Sequence, residues 1–88
     1  MLISALGKRK AIDRLLSFII LLMKEYGQHC DEGCYLPYIL THAQIGSTIG
    51  STRVTVTRLM GKLRRQGLII IKEDNIICLP ASTKELLS

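Results

Sequence analysis

The stretch Leu40–Leu68, LTHAQIGSTIGSTRVTVTRLMGKLRRQGL, limits what this chain can fold into more than any other. Thr41 precedes an apolar helical pattern and Gln44 follows it by three residues, the spacing of a capping box. Leu40 ahead of the cap and Ile45 within the helix have the spacing of a hydrophobic staple. Gly50 suits a left-handed helix end. Thr52 then suits the cap of a second helix over about Arg53–Gln66. Two capped helices this close leave no length for an extended connection, so they cross steeply. The result is a helix-turn-helix, whose second helix is the one that enters DNA.

At about 100° per residue, Val56, Leu59, Met60 and Leu63 fall on one arc of that second helix and form its core stripe. Arg53, Val54, Thr57, Arg58, Gly61, Arg64 and Arg65 fall on another arc, largely away from it. A merely solvated helix gains from mixed charges at i,i+4 spacing; this face carries four arginines and no acid. Arg53 and Arg58 come early enough to reach base edges, where a guanidinium fork matches O6 and N7 of guanine, and Val54 suits a thymine methyl. Thr52, Thr55 and Thr57 offer hydroxyls to phosphate oxygens, while Lys62, Arg64 and Arg65, further along, suit phosphates. Gly61 costs a helix interior roughly 1 kcal/mol relative to Ala. It is either tolerated or allows close approach of a backbone or of DNA.

The rest of the chain frames this element. Residues 1–7 read as a lead-in, the end of an element that begins elsewhere. A helix follows from about Lys8 to Tyr26, with Ile12, Leu15, Leu16, Ile19, Leu22, Met23 and Tyr26 at three- and four-residue steps and Gly27 as its terminator. Phe18, Ile20 and Leu21 make it apolar over more than one stripe. Either the helix is central, or a second apolar face meets a partner or a domain outside this chain. Residues 28–33 read as a polar turn, and Tyr35–Leu40 as an edge strand at most because of Pro37. Leu68–Lys72 and Ile76–Leu79 are β-branched runs around Glu73-Asp74-Asn75, a hairpin with a polar tip. Lys72 could touch a phosphate there, although the acids at the tip oppose it. Residues 81–88 read as a short terminal helix or a frayed tail. The fold class is mainly α with a small β-hairpin: a winged helix-turn-helix over residues 8–80.

Charge distribution supports a polyanionic partner. The net charge is +5, and between Gly33 and Lys72 stand six Lys/Arg residues and no acid, which concentrates the positive field on the helix-turn-helix. Leu15–Met23 is far too short to span a membrane. Three cysteines without a signal peptide read as reduced thiols. His29, Cys30, Asp31, Glu32 and Cys34 crowd together, but a structural zinc site calls for a second ligand pair further on, which the local sequence lacks. The expectation is a polar loop with incidental thiols, no metal and no cofactor. His42 reads as a phosphate or water contact. No nucleophile–base pair is visible, so an enzyme is not expected.

Leu40–Leu68, with Ala5-Leu6-Gly7-x-Arg9 and Arg14-Leu15-x-Ser17-Phe18 upstream, resembles the C-terminal domain of the cyclic-AMP receptor/FNR superfamily of transcription regulators. IGSTRVTVTRL (49–59) most resembles its nitrogen-regulator branch, found in cyanobacteria and algal plastids. The resemblance covers about residues 5–80. It implies that Arg53, Val54 and Arg58 read bases and that Thr41, Thr52 and Thr55 meet phosphates. Members like the cyclic-AMP receptor carry Glu at position 54, which accepts from cytosine N4; valine cannot. A GTA…TAC half-site is therefore implied. The resemblance further implies double-stranded DNA and RNA polymerase as partners, a homodimer in the full architecture, and a nucleoid-associated cytoplasmic or plastid-stromal location. It also implies 2-oxoglutarate sensing by an effector domain that is not in this chain. The rival expectation is a winged-helix protein-interaction module with only non-specific DNA affinity.

Overall fold

The computed structural model describes residues 10–86. The expected lead-in (1–7), the first residues of the first helix and the Ala5–Arg9 motif lie outside the described residues.

The first helix, α1, spans Ala11–Tyr26. Gly27 stops it. A Cβ there would stand 2.5 Å from the Met23 carbonyl oxygen, so only glycine lets the chain turn so closely. The apolar residues of α1 divide between a buried stripe and a half-buried one. Leu15, Ile19, Ile20 and Met23 are buried, and Ile12, Leu16, Phe18 and Leu22 pack half-buried against the same core. Leu21 and Tyr26 remain exposed, and Tyr26 meets Tyr38 edge-on.

Residues 28–33, expected to be only a turn, contribute to a hairpin instead. Gln28–Cys30 form β1 and Gly33–Tyr35 form β2. These strands have little β signal of their own. They exist because β2 pairs on its far side with β4 (Ile77–Pro80), with Cys34 opposite Leu79. The edge strand expected over Tyr35–Leu40 is displaced accordingly: it ends at Tyr35, and the chain runs irregularly past Pro37. Strand β3 (Ile70–Ile71) completes an antiparallel sheet in the order β1-β2-β4-β3. The expected wing is present, with β3 shorter than Leu68–Lys72 and β4 shifted by one residue so that it includes Pro80. Its tip is a 3₁₀ turn over Glu73–Asn75. Asp74 and Asn75 adopt positive φ there, a conformation these two residue types tolerate best after glycine.

Between the two hairpins lie α2 (His42–Ile49) and α3 (Arg53–Arg65). Ile45, Val56, Leu59, Met60 and Leu63 join α1, Leu36, Ile69, Ile77 and Leu79 in one buried cluster. The last helix, α4 (Ala81–Leu86), follows directly on β4. Its Thr83 is buried and donates a hydrogen bond to the Leu68 carbonyl at 2.9 Å, which pins this helix onto the start of the wing.

Candidate nucleic-acid interface

The geometry of α2 and α3 follows from their caps. Thr41 Oγ1 accepts from the Gln44 amide at 3.0 Å, and Gln44 Oε1 accepts from the Thr41 amide at 2.9 Å. Both halves of the capping box are therefore made, and two otherwise unpaired donors are satisfied. At the other end Gly50 is left-handed (φ 75°), and the Ser51 amide reaches back to the Gly46 carbonyl at 2.8 Å. Thr52 Oγ1 accepts from the Thr55 amide at 3.1 Å and starts α3.

One residue that makes this turn possible has no signal in composition or periodicity. Gly46 sits buried inside α2, and a Cβ on it would lie 2.7 Å from the Ser51 carbonyl oxygen. The turn between the helices folds back across that bare position. Arg14 of α1 is a second such residue. Its Nε donates to the Ile49 carbonyl at 3.0 Å, placing a cation on the carbonyl end of α2.

Helix α3 buries Val56, Leu59, Met60 and Leu63 and turns Arg53, Val54, Arg58, Lys62, Arg64 and Arg65 outward. Val54 is 65% exposed. An apolar side chain that far out has no folding role. A groove runs beside this face, bounded by Leu40–His42, by Arg53, Thr57, Gly61 and Arg64 of α3, and by Ile71 and Asn75 of the wing. Gly61 lines it. A Cβ there would meet only the Arg65 guanidinium, at 3.2 Å, so no neighbouring backbone requires this glycine.

The hydroxyls are not equally available to a ligand. Thr57 Oγ1 donates to the Arg53 carbonyl at 3.0 Å and lies 2.7 Å from His42 Nδ1, so both side chains are engaged within the protein. His42 thereby links α2 to α3 through Nδ1, a contact its sequence position did not suggest. Thr52 Oγ1 donates to Thr55 Oγ1 at 3.0 Å. Thr41 and Thr55 accept through their oxygens in these bonds, which leaves each hydroxyl proton able to turn to a phosphate. Lys72 stands in the wing but is ion-paired with Glu32 of the β1–β2 turn. The hydrogen bond from Lys72 holds the Glu32 carboxyl below its ordinary value, and Glu32 raises Lys72 in return.

Glu32 and Cys30 also meet a residue that nothing in the local sequence connects with them. Cys30 Sγ and Cys78 Sγ are 3.8 Å apart across the sheet. Burial, followed by the hydrogen bond to Cys30, pushes the Cys78 thiol up to about 11. A thiol so protonated at neutral pH is a poor nucleophile.

A capped helix with outward arginines and no acid, flanked by a wing, defines a DNA-binding domain of transcription regulation. More narrowly, the chain belongs to the Crp-like helix-turn-helix family, whose model matches residues 13–82. It is 42% identical over 76 residues to the global nitrogen regulator of Nostoc sp., covering 86% of this chain and 34% of that protein. The figures are the same for the global nitrogen regulator of Synechococcus elongatus. The chain thus spans about a third of these relatives' length. A CooA variant from Carboxydothermus hydrogenoformans shares the fold, with a TM-score of 0.79 at 24% identity over 96% of this chain and 39% of that one. No helix among the described residues is long and apolar enough to cross a membrane.

Proposed function

We propose that this chain is the output domain of a nitrogen-regulator-like transcription factor, reading a GTA…TAC-type half-site through the major groove. The observation that carries this reading is the exposed start of α3, where Arg53, Val54 and Arg58 stand outward with no acid beside them. Arg53 and Arg58 donate to guanine edges, and Val54 packs on a thymine methyl. Lys62, Arg64 and Arg65 meet phosphates, joined by Thr41, Thr55 and the amides at the start of the helix. Thr52 and Thr57 contribute by holding the helix rather than through their own hydroxyl protons.

In the wider architecture two such domains act on a palindrome alongside RNA polymerase, in a nucleoid or a plastid stroma. The 2-oxoglutarate response belongs to a separate effector domain, and no catalysis is performed.

The test compares a palindromic GTA…TAC duplex with a scrambled one at two salt concentrations. Arg58→Ala is expected to cost about 1–3 kcal/mol on the palindrome and to flatten the preference between duplexes, whereas Arg65→Ala weakens both duplexes alike. Equal behaviour of the two variants across sequences would exclude base reading by Arg58. Wild-type binding that shows no preference and vanishes with salt would point instead to a protein-interaction module.

A further inference from the structure

We propose that Cys30, Glu32 and Cys78 form a binding site for a thiophilic divalent cation, of which zinc is the natural occupant. The three residues come from β1, the β1–β2 turn and β4, and one ligand atom from each lies within 4.8 Å of the other two. The sulfurs are 3.8 Å apart. Zinc–thiolate bonds of about 2.3 Å at a tetrahedral angle put two sulfurs about 3.8 Å apart. The pair is therefore already set at the edge length of a zinc tetrahedron.

The sheet accounts for this placement. Cys30 stands opposite Gly33 on β2, and Cys78 stands opposite Tyr35 on the other side of that strand. The two cysteines thus lie diagonally across β2 on the same face. Gly33, with no side chain and a positive φ, puts nothing between the sulfurs. A Cβ there would also collide with the Leu79 carbonyl oxygen at 2.3 Å, so the window is fixed by the backbone.

The charges close as well. Loading exchanges two thiol protons for one dication, since a coordinated thiol is deprotonated outright. Two thiolates and a carboxylate carry three negative charges, which the dication and Lys72 balance. Lys72 already bonds one Glu32 oxygen. A carboxylate has a second oxygen to offer a metal, and Lys72 becomes the outer partner that ligating carboxylates have. Three protein ligands leave one tetrahedral corner for water.

The experiment is a titration of the reduced 88-residue chain with Co(II), followed by Zn(II), in a phosphine reductant. The expected result is one equivalent of Co(II) giving thiolate-to-metal charge transfer with tetrahedral d–d bands, both abolished by zinc. Cys30→Ser should reduce charge transfer by about half and weaken affinity beyond the roughly 10–100-fold that loss of an outer partner causes. Glu32→Gln should weaken binding but keep the full thiolate signal, and Cys34→Ala should retain both bands. Circular dichroism of each variant separates lost ligation from lost fold. Because Cys78 is wholly buried, Cys30 and Glu32 carry the test. Octahedral Co(II) alone, or a signal unchanged by Cys30→Ser, would overturn the site, and neither result bears on DNA binding by α3.

Discussion

Individual residues of α3 divide by direction. Val56, Leu59, Met60 and Leu63 point into the core, and Arg53, Val54 and Arg58 point out. Gly61 is the residue whose cost has no internal return. Nothing but the far end of Arg65 approaches the position where its Cβ would be, so Gly61→Ala removes a backbone-entropy penalty and meets only a mobile side chain. The expected gain is about 0.5–1 kcal/mol, a rise in Tm of several degrees by differential scanning calorimetry. Duplex affinity should stay as it was. A variant that melts higher but binds the palindrome more weakly would show instead that DNA backbone occupies the space left by this glycine.

Elements were legible in the sequence where their determinants are local. The capping box, the left-handed Gly50 and the Thr52 cap each lie within four residues of what they control, and all three stand as read. The first hairpin was not legible. Gln28–Tyr35 has no alternating apolar pattern, and its strands are held by β4, more than forty residues later. Separation in sequence also hid the meeting of Cys30 with Cys78, 48 residues apart, and the link from Arg14 to the end of α2, 35 residues apart. At the candidate interface the outward arginines followed from helical periodicity. The engagement of Thr57 with His42 did not, because it depends on how α2 crosses α3. Gly46 shows most plainly what that crossing requires. In Gly46→Ala the new methyl would lie 2.7 Å from a backbone carbonyl that cannot swing aside, in a turn fixed at both ends by caps. The expected loss is about 1–3 kcal/mol, the usual cost of overpacking a closed site, and Tm should drop by roughly 4–8 °C for each kcal/mol. A thermal melt showing no loss would mean that the turn can open, and that the crossing angle is set by the core rather than by this contact.

The molecule as a whole measures 31 × 30 × 24 Å. Half-sites one helical turn apart are separated by about 34–36 Å, so two copies fit side by side on one face of a palindrome without overlap. Fitting is not the same as pairing. Among the described residues the large exposed apolar side chains are Leu21, Tyr26, Tyr38, Ile39 and Val54, and Val54 lies on the outward face of α3. A stable interface needs about 800 Å² from each partner, with some 20–30 residues a side, far more than the other four supply. Domains that meet DNA through the described residues alone should therefore load the two half-sites independently. If Lys62, Arg64 and Arg65 each meet a phosphate as proposed, the slope of log K against log salt is expected to be about −3 per domain, at roughly −0.9 per phosphate. Lys72 adds to that slope only when it leaves Glu32. Inserting about five base pairs turns the second half-site to the opposite face of the duplex. For independent domains this insertion leaves both affinity and slope unchanged, as measured by fluorescence anisotropy. A slope twice as steep on the palindrome, lost on insertion, would show that the chain dimerises through a surface outside the residues described.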